Sequence, residues 1–152
     1  TTCLHLVLTS ANNVYLIDTY YYSPAGKTHK KAPSILSKEL HDFVEAQAKQ
    51  FPNVPILNMT IDSAEGALRN QYFEDYGERW HPVAKKKKIV MTEYVQSLLA
   101  EGRFFYLKTV NNLKYFIEEH KKYQWDERSI MNDDPKVIRR PHLRCVPIFC
   151  NR

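Results

Sequence analysis

The sequence predicts a mixed α/β domain, a sheet that opens with an antiparallel hairpin and is flanked by helices. Three observations carry this. Strand-like and helical periods alternate along the chain. Two strand-like runs near the start are joined by a short polar turn. A central apolar run, Asn53 to Ile61, ends on an acidic residue and passes straight into a helix start. The chain has 152 residues, 43% hydrophobic and 26% charged, which suits one domain.

Taken in order, Cys3 to Leu8 reads as a strand, Thr9 to Asn13 as a turn, and Val14 to Tyr22 as a second strand rich in β-branched and aromatic residues. Asp18 sits within that strand and reads as a solvated, outward residue, with an inward ligand as the alternative. Ser23 to Lys31 is a polar loop. Its Gly26-Lys27-Thr28 resembles the end of a P-loop, but the glycine spacing is absent and Pro24 interrupts. Pro33 to Gln50 is a helix with an apolar stripe of Leu36, Leu40, Phe43, Val44 and Ala48.

The central strand follows, with Val54, Ile56, Leu57, Met59 and Ile61 apolar on both faces. Asp62 stands where it stops. Strand ends in α/β sheets are where ligands and metals collect, so Asp62 is the first residue to suspect of chemistry. It also reads as a helix cap: Asp62 or Ser63 could cap the next helix, with Glu65 placed for a capping box. That helix runs from Ala64 to Tyr76 with Leu68, Tyr72 and Phe73 inward, Arg69 one and a half turns in, and Gly77 closing it.

Trp80 to Ala84 reads as a short extended segment. Lys85, Lys86, Lys87 and Lys88 open a third helix whose inner face is Ile89, Val90, Tyr94, Val95, Leu98 and Leu99. Four adjacent lysines point around much of a helical turn, so they read either as solvated surface or in part as phosphate contacts. Arg103 to Leu107 is a strand and Asn111 to Tyr123 a fourth helix, with Leu113, Phe116 and Ile117 inward. Ser129 to Arg140 is a loop by composition.

The net charge of +5 permits a polyanionic partner without requiring one. Cys3, Cys145 and Cys150 make no disulfide framework, and no Cys/His spacing involving His81 or His120 makes a zinc site. The lack of a disulfide framework points to a reduced, cytoplasmic setting, and no stretch reads as a membrane span or signal peptide. The chain opens on Thr1-Thr2-Cys3 without a methionine, so upstream sequence is expected.

Four pieces, VYLIDTYYY, Ile61-Asp62-Ser63-Ala64-Glu65, the Pro82-to-Lys88 run into IVMTEYVQSLLAEGRFFYL, and Glu119 to Asp126, together resemble the C-terminal nuclease domain of the large terminase subunit of tailed phages and prophages. The resemblance covers roughly positions 1 to 140. It implies a ribonuclease-H-like mixed sheet flanked by helices. It also implies three acidic residues holding two Mg²⁺ or Mn²⁺ ions about 4 Å apart, which clamp the attacking and leaving oxygens of a DNA phosphate. Asp62 matches the middle acid. The first belongs to a family strand that would precede Thr1. The last should follow a His by three, yet His142 is followed by Cys145. With a suitable choice of synonymous codons, a one-base shift turns the tail from Pro141 into Asp-His-Thr-Cys-Asp-Ala-Phe-Gln-Tyr-Phe, the pattern the family has there. Residues 141–152 therefore read as a frameshifted tail, an expectation that sequencing the coding DNA across Arg139 and Arg140 decides.

The resemblance implies double-stranded DNA as substrate, with Lys85 to Lys88 and Arg69 as candidate backbone contacts. It further implies an ATPase domain upstream in the parent protein, the small terminase subunit and the portal as partners, and the host bacterial cytoplasm as location. With two of three acids missing, weak or no metal binding is expected. A domain that binds DNA or a packaging partner without cutting is the alternative. Another ribonuclease-H-like nuclease, such as a junction resolvase or transposase core, is the third reading. Without its first family strand, Cys3 to Leu8 would border an empty sheet position, and an open edge there invites self-association.

Overall fold

A computed structural model of the chain describes residues 2–25, 29–83, 88–111, 113–122 and 145–146. The elements are β1 (Thr2–Leu8), β2 (Val14–Tyr21), α1 (Pro33–Gln50), β3 (Thr60–Asp62), α2 (Gly66–Tyr76), β4 (His81–Val83), α3 (Lys88–Ala100), β5 (Phe104–Tyr106), α4 (Leu113–Lys122) and β6 (Cys145–Val146). The fold is the expected mixed α/β arrangement. One sheet has the order β5-β2-β1-β6, and β3 and β4 form a separate parallel pair. No described helix is long and apolar enough to cross a membrane.

The β1–β2 hairpin is antiparallel, while β5 joins β2 and β6 joins β1 in parallel. Its turn closes through Thr9 and Asn13, whose backbone groups bond at 3.0 Å, with the Asn13 N–H also donating to Thr9 Oγ1. Asn12 takes the left-handed conformation at φ 58°, which asparagine tolerates better than most side chains.

Two apolar clusters cover the sheet. Leu4, Leu6, Val14 and Leu16 meet Leu98, Val110 and Phe116 in the first. Cys3 meets Leu40, Ile61, Leu68, Tyr72 and Trp80 in the second, with Tyr20 and Phe43 packed against it. The second cluster therefore joins β1 of one sheet to β3 of the other under α1 and α2. Burying each large apolar side chain contributes roughly 1.5–3 kcal/mol before entropy is counted.

The hairpin holds a β-bulge. His5 faces Asp18 and Leu6 faces Leu16, leaving Ile17 as the extra residue of β2. The bulge reverses the alternation. Val14 and Leu16 point into the first cluster, while Asp18 and Tyr20 share the opposite face with Cys3 and His5. α1 and the second cluster cover that face, so Asp18 is buried, and the expectation of a solvated outward residue is corrected.

Several other expectations are corrected. The central strand is confined to Thr60–Asp62 and lies in the two-stranded sheet, while Val54, Ile56 and Leu57 are exposed. The cause is local: Val54 N–H closes a turn on the Phe51 carbonyl, and Pro55 has no N–H for a ladder. In α2, Leu68 and Tyr72 are buried but Phe73 is exposed beneath the Arg79 guanidinium, 4.3 Å from its ring centre. The third helix begins at Lys88 and buries Leu98, whereas Val90, Tyr94 and Leu99 are exposed. Phe116, Leu113 and Ile117 of α4 also cover that face of the sheet, and among the described residues of α3 it is Leu98, in the last turn, that docks there; the side chain of Ile89 lies outside the described residues. The short strand β6 has no counterpart in the sequence pattern.

Candidate metal centre

Asp62 closes β3, and its register partner Val83 closes β4. The carboxyl ends of both parallel strands thus meet at one edge. From Val83 the chain enters the lysine run, and α3 starts at Lys88. Lys85, Lys86 and Lys87 lie outside the described residues, as does the side chain of Lys88. His142 and the segment from Tyr123 to Arg140 also lie outside them.

Asp62 is half-buried. Its Oδ1 accepts the Ala64 N–H at 2.9 Å, and its carbonyl accepts the Glu65 N–H at 2.9 Å. This is an Asx-type turn between strand and helix. The helix α2 starts at Gly66 with Glu65 in the cap position and no side-chain cap bond. The expected capping box is therefore corrected: a turn separates Asp62 from the helix, so its carboxylate serves the turn. The Glu65 carbonyl accepts the Arg69 N–H at 3.1 Å, and Arg69 is half-buried in the first turn. Asp62 and Glu65 are thus brought to the same end of β3, with Arg69 one turn along α2. The positive end of the α2 dipole adds to the field there and favours negative charge.

A second carboxylate has a role that strand alternation conceals. Asp18 Oδ1 accepts the N–H groups of Thr19 at 2.8 Å and Asn111 at 3.1 Å. Its Oδ2 accepts Gln47 Nε2 at 2.8 Å and Asn111 Nδ2 at 3.2 Å. Four donors occupy the roughly four lone-pair positions of a carboxylate, so Asp18 has none to offer a cation. Thr19 Oγ1 also donates to the Asn111 carbonyl. Since the carboxylate can only accept, Gln47 must turn its Nε2 to Asp18 and its Oε1 to His5. His5 Nδ1, 2.8 Å away, is then the protonated nitrogen that donates to it. Asp18 is a structural hub linking β2, α1 and the entry to α4. Its one sequence signal is an acid inside an otherwise apolar and aromatic strand.

Among the described residues, no three His, Cys, Asp or Glu side chains gather into a group that could hold a metal ion. Residues 1–150 match the family model described as "Terminase RNAseH like domain", a match that continues past Arg140. No curated protein and no solved structure matches the chain.

Proposed function

The chain belongs to the terminase RNase-H-like domain family, and from that premise we propose that it is a metal-dependent DNA endonuclease domain of a phage DNA-packaging terminase, with Asp62 as its metal-facing carboxylate. The observation that supports this is the position of Asp62 at the shared carboxyl end of β3 and β4, beside Glu65 and the segment that carries the lysines. A bound Mg²⁺ or Mn²⁺ would supply a polarised phosphate and an activated water. Asp62 and Glu65 alone do not fit a pair of ions. This chain's own residues supply a negatively charged turn at a strand end and cations for the DNA backbone.

The limited donor set among the described residues favours a second reading, a domain that grips DNA or a packaging partner and cuts weakly or not at all. In either reading Lys85, Lys86, Lys87, Lys88 and Arg69 contact phosphates, so affinity is sequence-independent and salt-sensitive. The upstream ATPase domain, the small terminase subunit and the portal complete the proposed assembly in the host bacterial cytoplasm. The frameshift origin of residues 141–152 belongs to the same proposal.

The deciding experiment follows thermal unfolding and nicking of supercoiled plasmid across a Mn²⁺ titration, in the wild type and in Asp62→Ala. Mn²⁺ should raise the wild-type Tm slightly, because an ion bound only by the folded state stabilises it. Asp62→Ala should abolish that rise while costing about 1 kcal/mol through the lost turn bond. Nicking should be very low and should vanish in the variant. Plasmid binding without nicking at any Mn²⁺ concentration would select the second reading, and binding should weaken evenly across sequences when Lys85 to Lys88 become alanine. A Mn²⁺ response unchanged by Asp62→Ala would remove Asp62 from the site.

A further inference from the structure

We propose that Arg79 and Phe73 form a stacking platform for an unpaired DNA base, which rests on the reading that the chain holds DNA. The ligand is a single-stranded or frayed stretch. The Arg79 guanidinium lies over the Phe73 ring, 4.3 Å from its centre. Arg79 is exposed, and Phe73 keeps 40% of its surface open. Gly77 makes the contact possible. It takes the left-handed conformation at φ 72° and closes α2 with its N–H on the Phe73 carbonyl at 2.8 Å. The chain then turns back and brings Arg79 over the end of the helix.

The charges nearby complement a nucleic-acid strand. Two of the neighbouring acids are engaged elsewhere. Asp75 accepts the Ser37 hydroxyl of α1 at 2.6 Å and the Gln71 amide at 2.9 Å. Glu78 is turned to the hydroxyl of the buried Tyr72, 3.5 Å away. Glu74 stays exposed beside Phe73. Neither Arg79 nor Arg69 forms an ion pair among the described residues. Arg69 lies four residues before Phe73, on the same face of α2. An open aromatic ring is thus flanked by two arginines without a carboxylate partner, matching the phosphates on either side of a base.

The chemistry selects an unpaired base. A guanidinium is planar and weakly hydrated, so it can rest one face on an aromatic ring and offer the other to a base. A phosphate alone would be served as well by a lysine ammonium, a point charge. In intact duplex the faces of the bases are covered by their neighbours, so only an unstacked base can reach such a platform. Its place fits the Asp62 turn. α2 starts at Gly66, and Phe73 lies roughly 10 Å along it. At the ~3.4 Å spacing of a stacked strand, that is about three nucleotides.

Fluorescence anisotropy in EDTA at fixed ionic strength tests this, with labelled oligo(dT), an abasic strand of the same length and a blunt duplex. The first two carry the same phosphates and differ only in their bases. The wild type should bind oligo(dT) about fivefold tighter than the abasic strand, or more. Arg79→Lys keeps the charge and loses the plane, so that ratio should fall to about one. Phe73→Leu removes the ring behind the guanidinium and should lower the ratio as well. If either variant fails to fold, the wild-type ratio and the other variant decide. Equal wild-type affinities for oligo(dT) and the abasic strand overturn the platform, and so does a folded Arg79→Lys that keeps the preference. Duplex binding that persists in those cases leaves the DNA reading standing, whereas no binding to any of the three overturns both. EDTA keeps the result independent of whether the chain cuts.

Discussion

Asp18→Ala is expected to lower stability by about 3 kcal/mol in chemical denaturation, among the largest effects of any polar substitution in the chain. The carboxylate takes four N–H groups from three residues. Gln47 and Thr19 are both buried and lose this acceptor, the Gln47 side-chain amide and the Thr19 N–H, while Asn111 is exposed and can turn to water. The loss therefore falls on the docking of α1 against the sheet and on β2 itself at Thr19. Asp18→Asn should cost less but carries a distinct signature. The amide it introduces is accommodated if Gln47 turns, so that its Oε1 accepts from that amide and its Nε2 points at His5. His5 Nδ1 must then become an acceptor, and the ring must move its proton to Nε2. Nitrogen NMR of His5 would report that tautomer exchange. A loss below about 1 kcal/mol for the alanine variant would mean that Asp18 does not organise these contacts.

That hub also marks how far the sequence can be read. The hairpin and α1 are legible because their periods are strong: Val14 to Tyr21 is dense in β-branched and aromatic residues, and α1 keeps one apolar stripe over its whole length. Asp18 escapes such a reading because a hairpin is expected to leave one face to water, whereas α1 covers the face to which the extra residue at Ile17 turns Asp18. The run from Asn53 to Ile61 escapes it for a different reason. Its apolar residues satisfy a buried-strand pattern, but Pro55 and the turn at Val54 break the backbone ladder, and pattern alone does not weigh hydrogen bonds.

The position of Asp62 at a strand end is legible, because a strand-to-helix transition leaves a clear composition change. The details of its turn are not, since Asp62 and Ser63 are both competent caps and only geometry shows that the helix waits until Gly66. The inner face of α3 is overcounted because helical periodicity reports which residues could be buried. Whether they are depends on what else covers the sheet, and here α4 does so.

Above pH 9 the fold is expected to lose stability steeply, through the cluster under α1 and α2. Burial pushes the Cys3 thiol up to about 12. Burial also raises the Tyr20 phenol, helped by its hydrogen bond to Glu39 and that residue's charge, and raises the Tyr72 phenol, helped by the charge of Glu78. All three lie in or against the second cluster. The sign follows from linkage. In the unfolded chain the thiol ionises near 9 and the phenols near 10, whereas the folded chain keeps them protonated to higher pH. The unfolded state therefore binds fewer protons in that window, and stability falls as pH rises. It is fully present below about pH 9 and is lost progressively up to the folded values. Each fully linked group contributes a slope of about 1.4 kcal/mol per pH unit. The two tyrosines contribute less than that, being partly open to solvent. Thermal unfolding between pH 7 and 11 would show a Tm nearly flat at first and then dropping. Cys3→Ala, which removes the most completely buried of the three groups, should flatten the drop by close to one proton's worth while leaving the neutral-pH Tm little changed. If wild type and Cys3→Ala fall in parallel, the Cys3 thiol is not held neutral by the cluster, and the packing of β1 against β3 beneath the helices is looser than its burial implies.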